Sequence, residues 1–228
     1  VKDADRYLSK HKKASTRARC EVKYLKASAV FKQRQRAKAR THYDKAAAEC
    51  AKAGPRGELF LVKSRYQSGR GRYASGEYTA AAKAFESLAA DFPAHSYADD
   101  AMVLAGESWE MAGKDDLARK AYETGLETYP GDMAPELRRR LLVLQFSDKK
   151  YDAVLGLTEK ALAAKGLHRE ERSKLHYFRG RALQAKGDQD GAVEAWLEAV
   201  ETLPLSYPSL QALSRLREAG AVDRGLAV

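Results

Sequence analysis

The side chains that could coordinate a metal ion are few in this sequence of 228 residues, and they are widely spaced. A catalytic zinc site of the HExxH type needs two histidines one helical turn apart, and no two histidines here have that spacing. Only two cysteines are present, so a structural zinc site is not expected either. The sequence therefore predicts no metal and no other cofactor. The histidines are His11, His42, His95, His168 and His176.

Carboxylates, which could serve as general acids or bases, occur mainly as neighbouring pairs at predicted helix starts or turns. Negative charge complements the helix dipole there, so the pairs need no catalytic explanation. The segment Gly69-Arg70-Gly71 is not a dinucleotide loop, because no strand precedes it and a third glycine is wrongly spaced. We therefore predict that this chain itself is not an enzyme and assign no catalytic residue. The pairs are Asp99-Asp100, Asp115-Asp116 and Glu170-Glu171.

Tyrosine and arginine recur at the helical positions that would line the inner, concave face of an array of helix pairs. An aromatic face and a planar cation suit contact with a protein, a peptide or a sugar. Alternatively, the tyrosines only pack between helices with their hydroxyls in water, and the sequence leaves both interpretations open. The candidate binding residues are Tyr66, Arg70, Tyr73, Glu107, Glu110, Arg139, Tyr177 and Arg181.

These positions lie within an internal repeat that resembles the tetratricopeptide pattern of about 34 residues. Each unit is expected to be two antiparallel helices, with a glycine where their backbones approach, an aromatic beyond it, a turn glycine and a final proline. Three windows follow the pattern: 62–95 with Gly69, Gly76, Phe85 and Pro93; 99–132 with Gly106, Gly113, Tyr122 and Pro130; and 173–206 with Gly180, Gly187, Trp196 and Pro204. A fourth window, 135–168, is degenerate and keeps Leu142, Tyr151 and Ala161.

The repeats predict an all-α fold, a right-handed superhelix of tetratricopeptide-like hairpins, because such units bury their apolar faces only against neighbours. We divide the chain into a basic helical region over 1–54, the repeat array over 55–220 with a closing helix at 208–219, and a C-terminal tail at 221–228. The concave groove of the array is the expected binding surface for a protein or peptide.

The N-terminal region allows two interpretations, because residues 20–53 fit the repeat weakly and contain no internal glycine or proline. It could be a further helical hairpin or one long helix over about residues 15–53. In the hairpin, Cys20 begins the first helix and Cys50 ends the second, so a disulfide is possible. In the single helix the two cysteines would be about 45 Å apart at ~1.5 Å per residue, and a disulfide is excluded. Both cysteines could also be buried thiols.

All of the excess positive charge is N-terminal, since residues 1–54 hold 16 Lys and Arg against 5 Asp and Glu. A basic region of this kind attracts nucleic acid, an anionic lipid surface or anionic envelope polymers by the same long-range force. Nucleic acid is the least favoured partner, because no known reading motif accompanies the charge. No transmembrane segment is expected, because the longest uncharged stretch, 202–214, is shorter than the ~18 apolar residues that a membrane helix needs.

The C-terminal part of the sequence contains Leu203 to Tyr207, followed by Leu210 to Leu216. It resembles the end of the helical domain in soluble lytic transglycosylases of the bacterial periplasm. The resemblance covers roughly residues 60–220 and rests most on residues 203–216, with two weaker segments at 95–101 and 131–134. It implies a periplasmic scaffold that supports peptidoglycan engagement and partner binding. The segments read Leu203-Pro204-Leu205-Ser206-Tyr207, Leu210 to Leu216, His95 to Ala101, and Gly131 to Ala134.

The catalytic glutamate of that family lies in a Glu-Ser motif followed by Gly-Leu-Met-Gln, and this combination is absent here. Glu107-Ser108 matches two letters only and is not assigned the role. The resemblance therefore implies a non-catalytic domain, whose parent could carry a transglycosylase domain beyond the C-terminus. The alternative is a stand-alone tetratricopeptide interaction module of an envelope or secretion complex.

Overall fold

The chain forms α-helices joined by short turns, and the prediction of an all-α fold of antiparallel helix hairpins is confirmed. The computed structural model describes residues 1–129 and 131–226, and within these ranges there is no β-strand. The helices are α1 (Lys2–Lys10), α2 (Thr16–Lys32), α3 (Arg36–Ala51), α4 (Glu58–Ala74), α5 (Tyr78–Asp91), α6 (Ala98–Met111), α7 (Asp115–Thr128), α8 (Ala134–Ser147), α9 (Tyr151–Leu162), α10 (Arg169–Ala185), α11 (Gln189–Thr202), α12 (Tyr207–Glu218) and α13 (Val222–Leu226), with a 3₁₀ turn at Gly54–Gly57.

Two compact units make up the chain, residues 1–138 and 139–228. The first unit continues from the N-terminal hairpin into the repeats, because α3 packs along α4 as α5 packs along α6. At this contact Gly71 of α4 lies so close to Arg40 of α3 that an added methyl group would be 2.9 Å from the arginine Cβ. The boundary between the two units falls after Arg138 within α8, and the division of the chain after residue 54 stays a prediction.

Of the two interpretations of the N-terminal region, the structure contains the hairpin, formed by α2 and α3. The chain reverses at Arg34, whose φ of 61° is a left-handed conformation that normally favours glycine. This explains why the sequence carries no glycine at the turn. The helices enclose a small core of Ala27, Val30, Ala39 and Tyr43. Cys20 and Cys50 are fully buried and joined by a disulfide.

In three repeats, a glycine of the first helix lies directly beneath an aromatic ring of the second. A methyl group placed on Gly69 would be 2.7 Å from a ring carbon of Phe85. Gly106 faces Tyr122 and Gly180 faces Trp196 in the same way, and all three rings are fully buried. The missing side chain of the glycine therefore leaves space for the aromatic ring. We expected the glycine to allow close approach of the two helix backbones, and the structure shows that it accommodates the ring.

The turn inside each hairpin uses a left-handed residue. Gly76, Gly113 and Gly187 have φ values of 76°, 68° and 89°, as the sequence pattern predicts. In the degenerate hairpin α8–α9 the equivalent position is Lys149, with a φ of 59°. A lysine can adopt this conformation at a cost of about 1 kcal/mol, so the fold survives although the sequence signal is lost.

Specific residues fix the ends of the helices in the second unit. The side chain of Asp188 accepts a hydrogen bond from the Gly191 amide (2.9 Å) at the start of α11. Pro208 is the second residue of α12, a position where its missing N–H costs nothing, so the helix proceeds normally. The predicted tail includes α13, whose Gly225 packs against Leu216. Among the other predicted stop signals, Pro130 lies outside the described residues.

No helix in the described part of the chain is long and apolar enough to cross a membrane. The longest helices have 17 residues and carry several charged side chains each. The apolar residues instead face neighbouring helices, as in the second unit, where Trp196, Leu216 and Ala212 share one core with Tyr177.

The contact between glycine and aromatic ring can be tested with two substitutions in the same unit. Gly180→Ala is expected to lower the free energy of unfolding by about 1–3 kcal/mol, because the added methyl group overlaps the Trp196 ring. Gly156→Ala is the matched control, since Gly156 is exposed on α9 and its added methyl group meets no atom within 4 Å. This change should raise stability by about 0.5–1 kcal/mol through helix propensity.

Urea unfolding followed by circular dichroism and tryptophan fluorescence measures both effects. The opposite signs are the informative result, because the two variants make the same chemical change. Equal shifts of the unfolding midpoint in one direction would contradict the proposed packing constraint.

Candidate functional site

The candidate binding residues lie on the first helix of successive hairpins, as the repeat predicts. Contacts in the structure divide the surroundings of these residues into two groups, one in each unit. In the first unit we define the tyrosine–acid cluster as Tyr66, Tyr97, Asp100 and Glu107. In the second we define the arginine–aromatic cluster as Phe146, Tyr177 and Arg181. The helices that carry the predicted residues are α4 for Tyr66, Arg70 and Tyr73, α6 for Glu107 and Glu110, α8 for Arg139, and α10 for Tyr177 and Arg181.

The tyrosine–acid cluster is built around the ring of Tyr66, which is half-buried between two other aromatic rings. Its centroid is 4.7 Å from that of Tyr97 and 5.8 Å from that of Phe85, which it meets edge-on. Tyr97 immediately precedes α6, and its other side meets the ring of His95 at 5.3 Å. The repeat pattern did not identify Tyr97 as a contact residue, because it lies in the connection between hairpins rather than on a helix.

Electrostatics distinguish Tyr66 from an ordinary surface tyrosine. Burial, followed by the negative charge of Asp100, raises the pKa of Tyr66 to about 12, and Arg70 acts in the opposite direction. Burial also raises the pKa of Asp100, with Asp99 and Asp132 adding to the effect. At neutral pH the cluster therefore presents a protonated phenol beside carboxylates. This combination can donate and accept hydrogen bonds on a surface that is partly apolar.

Two of the predicted residues have partners inside their own repeat. The ring of Tyr73 packs edge-on against Tyr78, the first residue of α5, at 5.3 Å. Glu110 accepts a hydrogen bond from the hydroxyl of the fully buried Tyr122. These contacts link the first and second helices of hairpins α4–α5 and α6–α7. Both residues therefore contribute to the hairpins themselves, which the sequence pattern could not distinguish from contact with a ligand.

The arginine–aromatic cluster holds a guanidinium group against two aromatic rings. The Cζ atom of Arg181 is 4.8 Å from the centroid of the Phe146 ring and 5.9 Å from that of Tyr177. Its Nη1 atom also donates a hydrogen bond to the Tyr177 hydroxyl at 3.0 Å. Tyr177 is only 7% exposed, so the arginine is oriented by a well-packed side chain. Arg139 lies on α8 two helical turns before Phe146.

The described residues contain no group of three or more His, Cys, Asp or Glu side chains that could hold a metal ion. Glu107-Ser108, the dipeptide that resembles part of a transglycosylase motif, lies within α6. Ser108 is fully buried there and donates a hydrogen bond to the carbonyl oxygen of Leu104 at 2.6 Å, so it is a structural residue.

Comparison with known families agrees with the observed hairpins. The family model described as tetratricopeptide repeat matches residues 63–95 and 100–132, which correspond to α4–α5 and α6–α7. The chain contains tetratricopeptide repeats. The matched ranges begin within one residue of the windows that the sequence pattern predicts. No curated protein matches this chain in sequence.

Solved structures show the same fold at low sequence identity. YrrB, described as a TPR protein with an unusual peptide-binding site, is 16% identical over 92% of this chain and 97% of its own, with a TM-score of 0.58. BtubC (BKLC) from P. vanneervenii is 18% identical over 88% and 85%, with a TM-score of 0.58. A putative kinesin light chain of Podosopora anserina with nearly identical TPR-like repeats is 17% identical over 82% and 95%, with a TM-score of 0.55.

These matches support tetratricopeptide repeats and a helical solenoid. They give no support to a lytic transglycosylase parent, which therefore stays a prediction from the sequence. At these sequence identities the similarity establishes the fold and does not identify a ligand.

The environment of Tyr66 predicts a pH dependence. Asp100→Asn should lower the pKa of Tyr66 from about 12, because it removes a negative charge that disfavours the phenolate. The pKa can be read from the ¹³Cζ resonance of labelled tyrosine, assigned with Tyr66→Phe. Asp115→Asn, at the start of α7, is the control and should leave this resonance unchanged.

The raised pKa of Tyr66 also makes the stability of the folded state depend on pH. An unfolded tyrosine releases its proton near pH 10, whereas folded Tyr66 keeps it until about pH 12. The raised pKa of Tyr66 therefore stabilises the folded state fully below pH ~10, and this stabilisation is lost as the pH rises from about 10 to about 12. A Tyr66 resonance that titrates identically with and without Asp100 would contradict the described cluster.

Proposed function

We propose that this chain is a non-catalytic scaffold whose tetratricopeptide repeats bind an extended peptide or protein segment. The observation that carries this proposal is the arrangement of Arg181 between Phe146 and Tyr177. Binding is usually weakened by the entropy lost when a long side chain is ordered, and here the guanidinium is already held in place. A partly exposed, oriented arginine beside aromatic rings is a favourable contact for a peptide carboxylate.

The tyrosine–acid cluster supports the same general function with the opposite charge. Its carboxylates and phenol suit basic or hydrogen-bonding groups of a peptide, while the rings of Tyr66 and Tyr97 provide apolar contact. YrrB, which shares the fold, is described as having a peptide-binding site. A peptide is therefore the first ligand to test, with acidic side chains directed to the second unit.

Peptide binding can be measured by fluorescence anisotropy with labelled random peptides of about ten residues, pooled by net charge. We expect the acidic pool to bind more tightly than the neutral pool. Arg181→Gln should weaken this binding about tenfold, the value of one charge-assisted hydrogen bond. Arg181→Lys should have an intermediate effect, since it keeps the charge but loses the planar contact with Phe146.

Arg217→Gln is the matched control, because Arg217 is exposed on α12 outside the cluster and its loss changes the net charge equally. This variant should bind the acidic pool within twofold of the unchanged protein. An unchanged protein that fails to discriminate between the pools, or equal losses in the Arg181 and Arg217 variants, would refute the assignment.

As a second candidate we infer a scaffold of the bacterial envelope, associated with a lytic transglycosylase and with peptidoglycan. The observation that favours this location is the disulfide between Cys20 and Cys50. Disulfides persist in oxidising compartments such as the periplasm and are rare in the cytosol. The resemblance of residues 203–216 to the transglycosylase helical domain supports the same location, and the basic N-terminal region suits an anionic wall.

Sedimentation with purified peptidoglycan sacculi tests this second candidate. We expect the chain to pellet with sacculi at about 50 mM salt, and to be released as added salt screens the basic region. A lysine-rich protein of equal net charge is the control for purely non-specific attraction. A chain that stays in the supernatant at every salt concentration, or pellets only as well as the control, would argue against peptidoglycan engagement while leaving peptide binding intact.

A further inference from the structure

A cleft of about 390 Å³ lies in the first unit, between α1 and the hairpin formed by α2 and α3. Four of its nine lining residues are lysines, against two carboxylates, and we call it the basic cleft. It shares no residue with the tyrosine–acid cluster or the arginine–aromatic cluster. The residues that line it are Asp5, Leu8, Lys23, Lys26, His42, Lys45, Ala48, Glu49 and Lys52.

Helical spacing explains why these charges converge. His42, Lys45 and Glu49 on α3 follow one another at intervals of three or four residues, so they share one face of the helix, and Lys52, the C-cap residue of α3, continues this spacing. Lys23 and Lys26 have the same spacing on α2. Lys38, one turn before His42, is close enough to act on it electrostatically. The stretch from Lys38 on α3 to Lys52 at its C-cap is about 21 Å long at ~1.5 Å per residue.

The carboxylates of the cleft do not balance this charge. Glu49, which is nearly buried, accepts hydrogen bonds from Arg19 at 2.9 Å and Lys23 at 2.5 Å. Asp5 pairs with Lys26 at 2.5 Å. Both carboxylates are thus already engaged by cations of α2. Lys45 on α3 and Lys52 at its C-cap make no ion pair within the described residues.

The imidazole of His42 shows the resulting positive potential. Burial lowers its pKa, and the charges of Lys26 on α2 and of Lys45 and Lys38 on α3 lower it further. Asp5 of α1 is the carboxylate that opposes them, and its effect is the smaller one. An anion that entered the cleft would neutralise these lysines, and it would therefore raise the pKa of His42.

The lining also restricts the chemical class of the anion. None of the lining residues is a phenylalanine, tyrosine or tryptophan, so the cleft offers no platform on which nucleic-acid bases could stack. Lysine ammonium groups are compact point charges that bind phosphate without the planar geometry that arginine imposes. Several such charges around one cleft favour a ligand with closely spaced phosphates.

We propose that the basic cleft is a binding site for a ligand carrying consecutive phosphate groups and no aromatic base. A free polyphosphate and a phosphodiester polymer of a cell wall share this chemistry. The site is independent of the peptide-binding proposal, because every residue that forms it lies between Asp5 and Lys52.

Isothermal titration calorimetry with sodium tripolyphosphate, at pH 7 and about 50 mM salt, tests the site directly. The unchanged chain should bind, and binding should weaken as salt is added. The double variant Lys45→Gln, Lys52→Gln should raise the Kd about tenfold or more, because it removes two ammonium groups that form no ion pair with any carboxylate that the structure describes. Both side chains are exposed, so this variant should keep its helical circular dichroism spectrum.

The double variant Lys12→Gln, Lys13→Gln is the matched control. It removes the same charge from the same basic region, at exposed positions that do not line the cleft. Its Kd should stay within twofold of the unchanged value. Equal weakening in both double variants would show general attraction to the N-terminal charge and would overturn the proposed site.

Nuclear magnetic resonance of the histidines supplies a readout that is specific to the cleft. Tripolyphosphate should raise the pKa of His42, whereas the ring of His11, which does not line the cleft, serves as the control signal. An oligomer of glycerol phosphate and a thymidine oligonucleotide of equal charge form the other arms. Binding of the glycerol phosphate oligomer in preference to tripolyphosphate would assign the wall polymer as the source.

Three further results would overturn the proposal. They are the absence of tripolyphosphate binding at low salt, binding without a change at His42, and tighter binding of the oligonucleotide than of either phosphate chain. None of these outcomes bears on the response of the Arg181 variants to acidic peptides, so failure here is distinguishable from failure of the proposed function.

Discussion

Each well-formed hairpin depends on placing a large aromatic ring of its second helix against a glycine of its first. Gly69 with Phe85, Gly106 with Tyr122, and Gly180 with Trp196 repeat this contact, and a single methyl group at any of these glycines would overlap the ring. Because the rings are fully buried, they contribute much of the apolar surface that the hairpin removes from water. The positions left for a ligand are therefore those that neither this contact nor the next hairpin uses.

The N-terminal hairpin satisfies the same requirement by other means. Its core contains Ala27, Ala39 and the ring of Tyr43, with the partly buried ring of Tyr24 packed against them. The disulfide between Cys20 and Cys50 joins the open ends of the two helices. A covalent link that closes a loop of about 30 residues contributes roughly 3–4 kcal/mol in the chain-entropy account. This compensates for a smaller core, and it leaves the outer face free to carry lysines instead of apolar residues.

The sequence predicts the hairpins well because their constraints are local. Glycine, aromatic and turn residues stand at fixed intervals, so the helices of the four windows lie where the pattern places them. The N-terminal turn was ambiguous because Arg34 adopts a left-handed conformation without the glycine that signals it. Tyr97, and the contact of Arg181 with Phe146, could not be predicted, since they depend on how consecutive elements pack rather than on spacing within one helix.

The same limitation explains why residues at equivalent positions differ in their use. Tyr66 and Tyr73 lie two turns apart on α4, yet Tyr73 meets Tyr78 of its own hairpin while Tyr66 meets Tyr97 and the charge of Asp100. Helical periodicity places both tyrosines on one face of α4. Their surroundings differ because the following elements of the chain bring different side chains against them. A half-buried tyrosine beside carboxylates therefore differs in its electrostatics from one that packs edge-on against a second ring, although both lie on the same face of α4.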